Sequence, residues 1–154
     1  MSKPVIPHYS PSKTGFLALR TAQDLFAKAE RDLAALEYNP QSADAAFNFF
    51  VTAHHIADWA GALDSRDQHP LLKICRHIAD GVKHFELTAK HHNLVSGVVD
   101  ESYVDDGYFE PGYVEQDVHI LLEPNNGLTN ADRIDVLELA RLVIAFWRQR
   151  LGVV

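Results

Sequence analysis

The chain has 154 residues, 47% of them hydrophobic and 23% charged, with a formal net charge of −7 and one cysteine. These values fit one globular domain over 1–154 and exclude a disordered or collagen-like chain, while the acidic balance leaves room only for a local nucleic-acid contact on a basic helix face. Cys75 has no partner for an internal disulfide, and no stretch shows a secretion signal or approaches the ~18 apolar residues of a membrane span, so the composition implies a cytoplasmic protein that does not enter a membrane.

Pro4, Pro7 and Pro11 predict an extended arm over 1–11. Ser12 or Thr14 then caps a first helix to Glu37, in which Ala18, Ala22, Leu25, Ala29, Leu33 and Leu36 recur at helical spacing and Asn39-Pro40 forms the stop. Ser42-Ala-Asp44 opens a second helix to about Leu63. Phe47, Phe49, Phe50, Val51, Ile56 and Trp59 make it apolar almost all round, which places it in the middle of a bundle. Residues 61–70 read as a connecting loop. Pro70 opens a third helix to about His91, with an apolar stripe from Leu71 through Ile74, Cys75, Ile78, Val82 and Phe85 to Ala89. Gly81 interrupts it at a cost of about 1 kcal/mol relative to alanine, which points to close packing or to a ligand. Over 94–124 the pattern shifts to short β-prone runs separated by glycine and proline, with the clearest strand at 117–123. Thr129-Asn-Ala-Asp132 caps a last helix through Leu139, Val143 and Trp147. The expected fold is mainly α: a four-helix bundle with a small antiparallel β-hairpin inserted before the last helix.

Seven of the nine histidines fall between His54 and His92. Two pairs stand four residues apart, His54 with Asp58 and Asp80 with His84, and that spacing puts each pair on one helix face. Imidazole with carboxylate suits Zn, Mn, Fe or Ni, and facing helices of a bundle commonly carry such sites. The candidate metal ligands are His54, Asp58, Asp80 and His84, with His55 and His77 in reserve. The alternative is structural: Asp80 and His84 as a solvated pair opposite the apolar stripe, and Asp58 bonded to His54, an arginine or an indole N–H.

Lys73, Arg76, Lys83 and Lys90 flank these histidines and offer a phosphate-binding edge beside an acid–base group. Arg76-His77 followed by His84 resembles the Arg…His motif of HEPN-type helical bundles, many of them RNases, across a longer interval than that motif has. The resemblance implies an RNA-binding or RNA-cleaving module, with a homodimer as its possible assembly and Arg76, Lys83 and His84 as catalytic candidates. The runs from Phe47 to Trp59 and from Cys75 to Phe85, with the closing Phe146-Trp147, resemble a family of small bacterial proteins without established function. That resemblance implies a shared fold and draws attention to the same two segments. Glycine-rich phosphate loops, GxSxG, HExxH and CxxC are absent from the sequence. Three readings follow: a divalent-metal site between the second and third helices, an HEPN-like RNA module, and a non-catalytic interaction protein that pairs with a partner or a second copy.

Overall fold

The computed structural model describes residues 14–84, 87, 92–100 and 118–154. Among these, the elements in chain order are α1 (Ala22–Tyr38), α2 (Ala43–Ala60), α3 (Leu63–Gln68), α4 (Pro70–His84), β1 (Val95–Asp100), β2 (Val118–Leu122), β3 (Arg133–Asp135) and α5 (Val136–Leu151). The fold is mainly helical with a small antiparallel sheet in the order β1-β2-β3. It departs from four helices and a hairpin by one short helix and one short strand. The expected arm at 1–11 and the β-prone runs at 102–104, 108–109 and 113–114 lie outside the described residues.

The first helix starts later than the apolar spacing suggests, and local hydrogen bonding explains why. Phe16 and Leu19 exchange both backbone hydrogen bonds at 2.8 Å, closing a tight turn in which Gly15 has φ +65°. A Cβ at Gly15 would lie 2.4 Å from the Leu19 carbonyl oxygen, so only glycine fits. Thr21 then supplies a full capping box: its hydroxyl accepts from the Asp24 N–H at 3.1 Å, and Asp24 accepts from the Thr21 N–H at 2.9 Å.

The second helix is capped by Ser42 and ended by Gly61 in the left-handed conformation. It packs against α1, α3, α4 and α5, which is the central position its composition implies. Its burial is one-sided, however. Phe49, Phe50, Ala53, Ile56 and Ala57 are buried, whereas Phe47 and Trp59 are 42% and 36% exposed. The buried Thr52 hydroxyl donates to Asp32 at 2.8 Å and accepts from Lys28 at 2.9 Å, and Lys28 pairs with Asp32 at 2.7 Å. All three groups of this α1–α2 contact are therefore satisfied.

Residues 61–70, expected as a loop, contain α3. His69 links it to α4, since its Nδ1 accepts from the Leu71 N–H at 3.2 Å while Pro70 occupies the first helical position. The next helix is described as far as His84, and Leu87 lies outside it, so the expected helix to His91 is interrupted there. The last helix also starts late. Arg133–Asp135 pairs with Leu121–His119 as β3, and Asp135, not Thr129, caps α5 by accepting from the Glu138 N–H at 3.0 Å. Ile120, Leu122 and Ile134 carry the buried face of the sheet onto a core that includes Leu139, Val143 and Trp147 of α5. Among the described residues no helix is long and apolar enough to cross a membrane.

Asn126, 1% exposed, organises the turn between β2 and β3. Its Nδ2 donates to the Glu123 carbonyl at 2.9 Å, and its Oδ1 accepts from the N–H groups of Leu128 and Thr129 at 2.8 and 3.0 Å. Asn126→Ala removes these partners under burial and is expected to lower the unfolding free energy by about 2–3 kcal/mol, measured by urea denaturation. A change below about 0.5 kcal/mol would show that the turn is held by other contacts.

Candidate functional site

Helical spacing decides which polar groups meet. His54 lies on the face of α2 that packs against α4, and Arg76 and Asp80 stand one turn apart on α4. The His54 Nε2 lies 3.9 Å from Asp80 Oδ1. His92, ahead of β1, faces the same carboxylate, its Nε2 3.1 Å from Oδ2. The Nε of Arg76 lies 3.6 Å from that oxygen. One half-buried carboxylate thus faces two imidazoles and a guanidinium.

The charges continue outward through α3. Arg76 Nη1 and Arg66 Nε both donate to Asp67 Oδ1 at 3.0 Å, and Arg66 Nη1 donates to Asp58 Oδ1 at 3.4 Å. Asp58 therefore pairs with Arg66, while its charge is still felt at His54. His55 Nδ1 lies 2.7 Å from the Val51 carbonyl of its own helix, so this nitrogen carries the proton, and its ring meets His54 edge-on at 5.0 Å. His77 meets His92 edge-on at 5.2 Å. Lys83 and His84 are exposed at the end of α4.

Of the residues proposed from sequence, His54 and Asp80 come together, His77 joins them through His92, and Asp58, Lys83 and His84 stand apart. Arg76 enters as a partner of Asp67 and Asp80. The spacing rules did not reveal His92, Arg66 and Asp67. His92 falls off the stripe of a helix drawn to His91, and the alternating charges of Asp64-Ser-Arg-Asp67 were the available hint of α3.

A cleft of about 420 Å³ opens between α4 and β1, with Ile78, Gly81, Val82 and Val95 among its apolar lining and His77 and His92 among its polar groups. Cys75, on the same helix, is fully buried. Burial, reinforced by the nearby Asp80 charge, pushes its thiol up to about 12, which makes it inert as a nucleophile. Among the described residues no group of three or more His, Cys, Asp or Glu side chains is arranged to hold a metal ion. In comparisons with known proteins, no family model, no curated protein and no solved structure matches the chain.

Burial, followed by the neighbouring His55, lowers the His54 pKa from 6.5 to about 4, with Asp80 opposing the shift. Above pH 6.5 the folded and unfolded chains both hold this imidazole neutral. As the pH falls from there toward 4, the unfolded chain takes up the proton first, so the folded state loses stability across that window. Allowing for partial solvent screening, the loss between pH 7 and 4.5 is about 2 kcal/mol. Urea unfolding at the two pH values should show this extra loss in the wild type and not in His54→Gln; the same pH dependence in both proteins would assign it to other groups.

Proposed function

We propose that the protein binds a small molecule in the cleft between α4 and β1, with His77 and His92 as the polar groups that meet it and Asp80 as the carboxylate behind His92. The observation that supports this reading is the 3.1 Å approach of Asp80 to His92 Nε2, since the His92 ring also lines the cleft. A concave, mostly apolar space with a few convergent polar groups is the usual form of a small-ligand site. An imidazole held by a carboxylate can pass a proton to or from a bound molecule, and that is the chemistry proposed for this pair.

A thermal-shift screen of small molecules against the wild type, His92→Phe and Asp80→Asn tests this. The expected result is a set of compounds that raise the wild-type Tm and lose most of that effect in both variants. Compounds that stabilise all three proteins alike, or a wild type that responds to none, would overturn the reading.

A second reading places Zn, Mn, Fe or Ni beside Asp80, between His54 and His92, although as they stand these three are not arranged as a ligand set; two of them, His54 and Asp80, are among the four residues first proposed. The two Nε2 atoms flanking one carboxylate favour it. Arg76 opposes it, because its guanidinium already sits 3.6 Å from Asp80 Oδ2 and would repel a cation there. We expect untagged protein to carry no stoichiometric metal by elemental analysis and to keep its Tm in chelator; about one equivalent, lost in both His54→Ala and His92→Ala, would establish the metal site instead. An RNA-directed role through Arg76 and His84 has less support. They stand eight positions apart on α4, roughly 12 Å, and Arg76 is held by Asp67 and Asp80.

A further inference from the structure

The hold on α3 differs in kind from the hold on its neighbours. The helix has six residues, no side-chain cap and no buried residue, and Leu63, its one large apolar side chain, is 44% exposed. Packing and helix propensity therefore contribute little to keeping it in place. Its two flanks are fixed. Ala62 is buried and its N–H donates to the Ala57 carbonyl at 2.8 Å. At the other end Leu71 is buried and the His69 ring meets Phe146 edge-on at 4.9 Å. Residues 63–68 thus span two anchored points without an apolar anchor of their own.

What ties the span down is charge. Arg66 Nη1 lies 3.4 Å from Asp58 Oδ1 on α2, and Arg76 Nη1 on α4 donates to Asp67 Oδ1 at 3.0 Å. The side chains of Asp58 and Asp67 are 42% and 50% exposed, so water and salt screen both ties. Arg66 itself is only 18% exposed, because it lies over the core. It is the one α3 residue that lines a narrow void, too tight for water, whose other walls include His54 of α2, Leu72 and Cys75 of α4 and Trp147 of α5.

We propose that α3 is a salt-sensitive strap: it lifts between Ala62 and Leu71 when its charge ties loosen, and so withdraws Arg66 from over Cys75 and His54 while the longer helices stay packed. Ionic strength sets how often it lifts. The opening is local, since it uncovers a patch closed by one arginine and leaves the apolar cluster of Phe49, Phe50, Ile74 and Val143 intact. The strap is separate from the cleft between α4 and β1, which no α3 residue lines.

Cys75 is the only cysteine of the chain, so its modification reports the lifting directly. The probe is dithiodipyridine, an uncharged thiol reagent, applied to the folded full chain below its urea transition, with glutathione as the free-thiol standard. Hydrogen exchange of residues 63–69 is followed by mass spectrometry in the same solutions. The expected result is a Cys75 rate that depends on urea far less steeply than global unfolding does, and that rises about threefold between about 0.05 M and about 1 M NaCl. Exchange of 63–69 should rise in step with it. Asp58→Asn removes one tie, leaves Arg66 in place and relieves a negative charge in the last turn of α2, so it should raise the Cys75 rate about threefold with no fall in Tm. Arg141→Gln, which loses only the exposed pair with Glu37, should leave the rate unchanged. A Cys75 rate that tracks global unfolding in urea, or that fails to respond to either salt or Asp58→Asn, overturns the proposal. So does an equal rise in Arg141→Gln. If Asp58→Asn does not fold, the salt response of Cys75 and of residues 63–69 in the wild type decides alone.

Discussion

A carboxylate kept mostly out of water has to be surrounded by groups that answer its charge, and the arrangement around Asp80 follows from that requirement. Its side chain is 19% exposed, and the groups that face it come from three places: Arg76 on its own helix, His92 on the segment leading to β1, and the neutral imidazole of His54 on α2. Arg76 reaches on to Asp67, and Arg66 joins Asp67 to Asp58, which returns the chain of charges to α2. The ring of contacts α2–α4–α3–α2 explains how α3 persists. It has six residues, no side-chain cap and no buried residue, so isolated helix formation would not sustain it.

The apolar core sets the frame in which that network sits. Phe49, Phe50 and Ile56 of α2, Ile74 of α4 and Leu139, Val143 and Trp147 of α5 are 0–1% exposed and belong to one cluster. Two exposed pairs, Arg141 with Glu37 and Arg148 with Glu30, join α5 to α1, and pairs of this kind contribute little beside apolar burial. The polar Lys28–Asp32–Thr52 contact between α1 and α2 differs in kind. Its groups are mutually bonded under partial burial, and it fixes how the two helices sit lengthwise more than it adds to stability.

The apolar periodicity made the four longer helices legible, along with the stop at Pro40 and the opening at Pro70, because these depend on local chemistry alone; the second helix, expected to about Leu63, is ended earlier by Gly61. The strand expected at 117–123 is β2 less its ends. What escaped was set by competition between local options. Ser12 and Thr14 are plausible caps, yet Thr21 with Asp24 forms a reciprocal box. Thr129 is a plausible cap, yet pairing of Arg133–Asp135 with β2 pulls the helix start to Asp135. The His54–Asp80 approach follows from two helix faces that the sequence could order but not orient. The place of His92 depends on where α4 ends, and periodicity gives no such boundary.

The junction of β3 and α5 has a mechanical consequence. Asp135 is at once the last residue of the strand and the cap of the helix, so no linker separates the two. The sheet is thereby welded through β3 to a helix whose inner face is deep in the core, and β1 inherits that stiffness through its pairing with β2. The two walls of the cleft therefore share one support: β1 is tied through the sheet to α5, and α4 packs on α2, α3 and α5.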